Sequence, residues 1–423
     1  MLQVWNWEET MQLNKTQLAQ VDQQIKRLIK TDSYYGRKYR ELGIEGCSSQ
    51  EEFEQLPFSS KDELRLAYPL GIQTVPDREI VRIHSSSGTT GKPVIIPYTA
   101  KDVDDWAKMF ARCYATAGIT REDRVQITPG YGLWTAGIGF QAGCEKLGAM
   151  AIPMGPGNTD KQIQMMIDLK PSVICATSSY ALLLSEEITR RGLKDSIFLK
   201  KGIIGSERWS EKMRNAIRRS LGIELYDIYG LTEIYGPGIG ISCPEENGIH
   251  YWDDYVYIEI IDPVTGKTVP DGENGEIVIT TLVKEGAPLL RFRTHDLSRI
   301  LPGECGCHSP YPRLDIIAGR SDDMFKIHGV NLFPSQIETI IGMVDGLGSE
   351  YRVILARDSE TKKDVLHISV EAEGRVDFAE TARCVCRLAK SRLGVTPRVA
   401  VVPIGTLSRS EKKTRRVEDQ REI

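Results

Sequence analysis

No stretch of this 423-residue sequence holds the roughly 18 consecutive apolar residues that crossing a bilayer requires, so a helical membrane span is not expected. An apolar leader is missing too: Met1 runs into the polar stretch Trp5, Asn6, Trp7, Glu8, which reads as a cytoplasmic protein without a signal peptide. Positive charge is not in excess, with 54 Lys and Arg against 58 Asp and Glu and a net charge of −4. The one dense basic run, Lys412 to Arg416, lies at the C-terminus, so no nucleic-acid or membrane partner is expected. Nine cysteines, an odd number scattered along a chain without an export signal, argue for reduced thiols rather than a disulfide framework. Internal repeats and low-complexity tracts are absent as well.

What is present has the composition of a soluble protein, 41% hydrophobic and 26% charged, in a chain too long for one core. Met11, Leu18, Val21, Ile25, Leu28 and Ile29 recur at the spacing of an amphipathic helix. Ser60 followed by Glu63 predicts a capping box ahead of Leu64. From Val81 to about Tyr257, short apolar runs such as Arg124 to Thr128 and Val173 to Ala176 alternate with amphipathic stretches such as Asp160 to Leu169, a pattern of α/β layers. Turn residues at Asp262-Pro263, Gly266, Asp271-Gly272 and Asn274-Gly275 predict a β subdomain over about 240–320. Beyond Arg320, helical patterns at Pro334 to Met343 and Phe378 to Leu393 alternate with strands at Tyr351 to Ala356, Val365 to Ala372 and Arg398 to Val402. The expectation is a large α/β unit over 1–320, a compact α+β domain over 323–423, and a junction at Ser321 to Asp323.

The strongest local signal is Ser85-Ser86-Ser87-Gly88-Thr89-Thr90-Gly91-Lys92-Pro93, which follows a strand ending near His84. Its glycines free the backbone to wrap closely, its hydroxyls and amides can donate to phosphate oxygens, and Lys92 adds a positive charge. It is not a Walker A loop, because Gly88 and Gly91 are two residues apart and Pro93 stands where a magnesium-binding hydroxyl would be. Downstream, Asp227-Ile228-Tyr229-Gly230-Leu231-Thr232-Glu233 supplies an aromatic ring for a base, a hydroxyl for a phosphate and a carboxylate for magnesium. Asp296 in Arg291-Phe292-Arg293-Thr294-His295-Asp296 suits two ribose hydroxyls, and Gly319-Arg320-Ser321-Asp322-Asp323 follows, then Lys326 and Gly329. Any one of them alone is open to reading as a solvated turn. Separately, Cys243, His250, Cys305 and Cys307 could close a tetrahedral zinc site, with His308 a competing ligand and four unconnected reduced residues the alternative.

In this order the motifs resemble the adenylate-forming superfamily of acyl-CoA synthetases, peptide-synthetase adenylation domains and luciferases, and within it the phenylacetate–CoA ligase family. The resemblance runs from Leu56-Pro57-Phe58-Ser59-Ser60-Lys61 through Tyr131-Gly132-Leu133-Trp134-Thr135 and Gly205-Ser206-Glu207 to the tail. It implies an adenylate-forming fold with a mobile C-terminal lid, and an enzyme that joins an aromatic carboxylic acid to coenzyme A through an acyl-adenylate made from ATP. By that resemblance, Ser86, Ser87, Gly88, Thr89, Thr90, Gly91 and Lys92 grip the phosphates, Gly205, Ser206, Glu207 and Asp227 also bind ATP, and Tyr229 and Gly230 frame the adenine. Thr232 contacts the reacting phosphate, Glu233 holds magnesium, Asp296 and Arg320 bind ribose, Asp322 is the hinge, and Gly329 lines the CoA channel. Tyr131, Trp134, Thr135 and Ala136 fall where the family forms its acyl pocket. In the tail the family's lysine aligns with Lys413, although Lys412 stands where a glycine is usual, so both lysines are candidates. The resemblance also suggests a homodimer. Two rival readings are an adenylating enzyme that passes its acyl group to an acceptor other than CoA, and a nucleotide-binding regulator without catalysis.

Overall fold

The computed structural model describes residues 11–86, 92–133, 136–207, 209–358, 363–372, 376–407 and 416–421, apart from the side chain of Asn331. Helices α1 (Lys15–Leu28), α2 (Tyr34–Glu41), α3 (Gln50–Gln55) and α4 (Lys61–Leu66) open the chain. The Ser60 capping box is formed: its side chain accepts from the Glu63 amide while the Glu63 carboxylate accepts from the Ser60 amide. A ribbon of β1 (Ile80–Ser85) and β2 (Ile95–Thr99) precedes α5 (Ala100–Thr116), whose N-terminus is capped by Thr99 and Asp102.

Alternation then sets in as the apolar runs predict: β3 (Arg124–Ile127), α6 (Ala136–Leu147), β4 (Met150–Pro153), α7 (Thr159–Leu169), β5 (Val173–Thr177), α8 (Ser178–Arg190), β6 (Lys201–Gly205), α9 (Glu211–Leu221) and β7 (Glu224–Leu231). These strands pair in parallel in the order β4-β3-β5-β6-β7. Next come β8 (Gly236–Ser242), β9 (Ile249–Tyr251), β10 (Val256–Ile261), β11 (Gly275–Thr281), β12 (Phe292–Ser298), β13 (Ile300–Leu301), β14 (Arg313–Leu314) and β15 (Gly319–Arg320). The β texture of 240–320 is divided between two sheets. Strands β8, β9, β14 and β13 extend the parallel sheet beyond β7 by successive antiparallel pairings, whereas β10, β11, β12 and β15 form an antiparallel sheet of their own among the described residues.

The smaller C-terminal domain comprises β16 (Phe325–Ile327), β17 (Val330–Leu332), α10 (Pro334–Gly342), β18 (Leu347–Arg357), β19 (Asp364–Ala372), α11 (Phe378–Leu393), β20 (Arg398–Pro403) and β21 (Val417–Asp419). Its main sheet runs β20-β19-β18-β21 and encloses a separate core that includes Ile337, Val353, Leu355, Val370 and Val385. No helix among the described residues is long and apolar enough to cross a membrane.

Glycines let α5 and α6 approach. Trp106 and Phe110 on α5 fill the space where side chains at Gly139 and Gly143 would stand, and Trp106 donates its indole N–H to the Pro237 carbonyl at 2.8 Å. A methyl group at Gly143 would press into the backbone and side chain of Phe110, and overpacking of this kind costs about 1–3 kcal/mol. Gly143→Ala is therefore expected to lower the thermal unfolding midpoint by a few degrees, and an unchanged midpoint would show that the helix pair can separate without cost.

Candidate functional site

The parallel strands of an α/β sheet direct their C-terminal ends to one edge, and the polar motifs gather there. β1 and β2 hold the two ends of the hydroxyl-rich loop: the Ser86 amide donates to the Val94 carbonyl at 3.0 Å and the Val94 amide donates to Ser86 Oγ at 3.1 Å. Ser87, Gly88, Thr89, Thr90 and Gly91 lie outside the described residues. Lys92, at the far end of the loop, is exposed with its Nζ 5.6 Å from the centre of the Tyr68 ring. The ribbon is tied to the segment preceding α6, since the Ser85 amide donates to the Leu133 carbonyl at 2.7 Å and His84 Nδ1 lies 3.3 Å from the same oxygen. Burial pushes the His84 imidazole down to about 4, so it is neutral at physiological pH.

β2 also reaches the Thr-Glu motif. The Tyr98 hydroxyl donates to the Tyr235 carbonyl at 2.9 Å and approaches the Thr232 carbonyl at 3.5 Å. Glu233 is buried, and Lys61 Nζ at the start of α4 lies 2.8 Å from its Oε1. Lys61 follows the capped Ser60, which orients α4, but its pairing with Glu233 has no local signal in the sequence. At Gly230 the backbone of Gly236 and Pro237 occupies the space a Cβ would need.

Tyr229 is buried and donates its hydroxyl to Asp296 Oδ2 at 2.8 Å. The other oxygen, Asp296 Oδ1, accepts from Arg320 Nη1 at 2.9 Å. The remaining edge of that guanidinium is bidentate on Asp322, with Nε to Oδ1 at 2.8 Å and Nη2 to Oδ2 at 2.8 Å. Behind this row, Glu276 has its side chain fully enclosed and accepts from Arg293 at 3.0 and 2.7 Å and from Ser321 Oγ at 3.2 Å. Burial alone would raise the Glu276 carboxyl, but hydrogen bonds from His295 and Arg293 outweigh it and hold the group at about 2.

Two other expected contacts are engaged with protein. Asp227 is paired with Arg214 and Trp209 Nε1, so its carboxylate orders β7 against α9. Glu207 Oε2 accepts from Ser178 Oγ at 3.2 Å and the Ser179 amide at 3.1 Å, capping α8. Gly205 closes β6, where a Cβ would stand 2.6 Å from Ile228, and Ser206 after it is left-handed with φ 68°. Tyr131 is half-buried and its hydroxyl has no hydrogen-bond partner among the described residues; Ala136 begins α6, and Trp134 and Thr135 lie outside them. Gly329, left-handed with φ 83°, turns β16 into β17 with open space around it. Lys412 and Lys413 lie outside the described residues, but the chain just after them is anchored by Arg416, bidentate on the buried Glu350 at 2.8 and 2.8 Å.

Away from this edge, the ligand atoms of Cys243, His250, Cys305 and Cys307 lie within 4.8 Å of one another. His250 Nδ1 is 2.8 Å from the Tyr311 carbonyl, which leaves Nε2 facing Cys307 Sγ at 3.3 Å, and Cys243 Sγ is 3.6 Å from Cys305 Sγ. His308 is not part of this group.

Comparison with known proteins follows the same outline. The family model of AMP-binding enzymes matches residues 12–282, and that of the AMP-binding enzyme C-terminal domain matches residues 329–421. The phenylacetate–coenzyme A ligase of Pseudomonas putida is 40% identical over 417 residues, covering 97% of this chain and 94% of the relative. That of Escherichia coli K12 is 40% identical over 429 residues, covering 98% and 97%. A crystal structure of 2-hydroxyisobutyryl-CoA ligase in the postadenylation state, in complex with 2-HIB-AMP, superimposes with a TM-score of 0.87 at 29% identity, covering 98% of this chain and 91% of that one. The same ligase with 2-HIB-AMP and CoA in its thioesterification state gives 0.70 at 29% identity, covering 98% and 92%. The fold thus superimposes better on the postadenylation arrangement of that ligase than on its thioesterification arrangement.

Folding depresses the Glu276 carboxyl from an ordinary value near 4.5 to about 2, so its stabilisation is fully present above 4.5 and is lost as pH falls toward 2. Glu276→Gln is expected to unfold at lower temperature than the wild type at pH 7, with the gap closing below pH 4.5. A gap that stays constant down to pH 3 would show that the ionised carboxylate is not what matters.

Proposed function

This chain belongs to the phenylacetate–CoA ligase family of AMP-binding enzymes and is an ATP-dependent, AMP-forming acid–CoA ligase, and from that premise we propose that its acid is an aromatic or arylacetic carboxylate. The observation that supports the site assignment is a pair of tyrosine hydroxyls. Tyr98 joins the phosphate-loop ribbon to the Thr232 segment, and Tyr229 joins that same strand to Asp296, so one nucleotide can touch all three.

In this reading the residues of the loop over 86–92 hold the ATP phosphates, and Asp296 takes the ribose hydroxyls with Arg320 beside it. Tyr229 acts through Asp296, whose orientation its hydroxyl sets, and Asp227 and Glu207 shape the adenine side by ordering β7 and α8. Glu233 holds magnesium, which when bound offsets negative charge on the phosphoryl oxygens; in its absence Lys61 neutralises the carboxylate. The substrate carboxylate attacks the α-phosphate, pyrophosphate leaves, and Thr232 and Lys413 stabilise the charge that develops on the transferring group. Holding acid and ATP in line accounts for much of the acceleration. The lid then swings, withdrawing Lys413 and bringing the Gly329 turn toward the channel by which the CoA thiol reaches the acyl carbonyl, a gating step. The acid lies against Tyr131 and the start of α6, where a flat ring packs well.

The cysteine–histidine cluster holds a structural zinc. Thiolate edges in a tetrahedral site are about 3.8 Å given bonds of ~2.3 Å, close to the 3.6 Å between Cys243 and Cys305, and the Tyr311 carbonyl fixes the His250 tautomer.

Lys413→Ala is expected to slow ATP–pyrophosphate exchange by about 10²–10³-fold while sparing thioester formation from supplied acyl-adenylate and CoA. Equal loss of both half-reactions would overturn the assignment. AMP release with CoA, screened over aryl acids and small aliphatic hydroxy acids, tests the substrate class, and faster turnover of the aliphatic set would refute it. For the metal, one zinc per chain is expected by elemental analysis of purified protein, with Cys305→Ser losing it and unfolding at lower temperature. Full stability of metal-free wild type would remove the zinc.

A further inference from the structure

Arg320 stands at the boundary between the two bodies of the molecule. Up to Ser321 the chain belongs to the large domain. Arg320 lies in β15, in register with Asp296 on β12. Ser321 is held on both backbone and side chain, its amide donating to the His295 carbonyl at 2.7 Å and its Oγ lying 3.0 Å from His295 Nδ1 and 3.2 Å from Glu276 Oε2. Past Asp323 and Met324 the chain enters β16 of the lid, whose core is its own. Rotation of the lid therefore falls on Asp322 and its successor.

Asp322 is also where the guanidinium of Arg320 applies its bidentate edge, while the third nitrogen of the same group is on Asp296. A planar fork demands a matching orientation of the carboxylate, so a large change in the Asp322 backbone breaks both bonds together. We propose that Arg320 is a positioning residue that couples the ribose end of the nucleotide site to lid position: its grip on Asp322 holds the adenylation arrangement and must open before the thioester step. This rests on the proposed roles of Asp296 as ribose acid and Asp322 as pivot. Ribose bound to Asp296 meets the same guanidinium that latches the hinge, so nucleotide occupancy and lid position bias one another, and by linkage that bias is reciprocal.

The test compares full-length wild type with Asp322→Asn, which keeps the shape and removes the charge, and Asp322→Glu, which keeps the charge. Asp322 is substantially exposed at 46%, so neither variant threatens folding. Asp322→Asn is expected to slow ATP–pyrophosphate exchange about five- to tenfold relative to thioester formation from supplied acyl-adenylate and CoA, with Asp322→Glu restoring most of the ratio. An interdomain dye pair on the AMP-bound protein reads the latch without chemistry, and should report a shift of the asparagine variant away from the wild-type distance. Parallel loss of both half-reactions, or an unchanged interdomain distance, overturns the coupling. Wild type that exchanges no pyrophosphate with any acid overturns the parent reading instead, while the dye measurement still decides the latch.

Discussion

A guanidinium set between two carboxylates, Asp296 on the large domain's sheet and Asp322 on the way to the C-terminal domain, is the contact on which the proposed coupling turns. In the proposed cycle the two halves of the site separate between steps and so cannot be welded shut, yet the nucleotide has to be held the same way throughout. Arginine reconciles these demands because its planar head offers separate edges in fixed directions. One edge stays with the rigid half, where Tyr229 and the Glu276 cluster hold Asp296 and Ser321 in place. The other engages the half proposed to move.

Rigidity of that first half comes from buried charge used for placement. Arg291, left-handed and buried, pairs with Glu259 and donates to the Leu56 carbonyl at 3.0 Å, which fixes the strand-like segment leading to Ser60 and Lys61. Asp102, also buried, accepts from the amides of Thr99, Glu285 and Gly286 and so binds the start of α5 to the loop before β12. Such pairs add little net stability over an apolar replacement, but removing one partner strands the other, and that penalty singles out one arrangement. The line from Arg291 to Lys61 to Glu233 shows how a distant buried pair determines where the Glu233 carboxylate finds its counter-ion.

Much of the architecture was legible because it follows from short-range periodicity. The β/α alternation, the Ser60 cap and the lid helix Phe378–Leu393 each depend on residues within a few positions of one another. The division of 240–320 between two sheets was not readable, since alternating strands carry the same period whichever neighbour they pair with. The same limit applies to the site. Chemistry-bearing motifs stood out by composition, but the contacts that orient them, Tyr98 to Thr232, Tyr229 to Asp296 and Lys61 to Glu233, join segments far apart in the chain. Asp227 illustrates the reverse: its motif points to nucleotide, whereas Arg214 and Trp209, invisible as partners in the sequence, claim its carboxylate.

The bond from the Ser85 amide to the Leu133 carbonyl has an implication for anyone wishing to redirect this catalyst. β1, which leads into the proposed ATP loop, and the segment before α6, the proposed border of the acid, are pinned together at the Leu133 carbonyl. Enlarging the cavity by moving that border, rather than by trimming side chains within it, would tug on the triphosphate cradle. On the proposed site, acid selectivity and ATP affinity are mechanically linked, and libraries that leave the Leu133 backbone in place have the better prospect of changing one without the other.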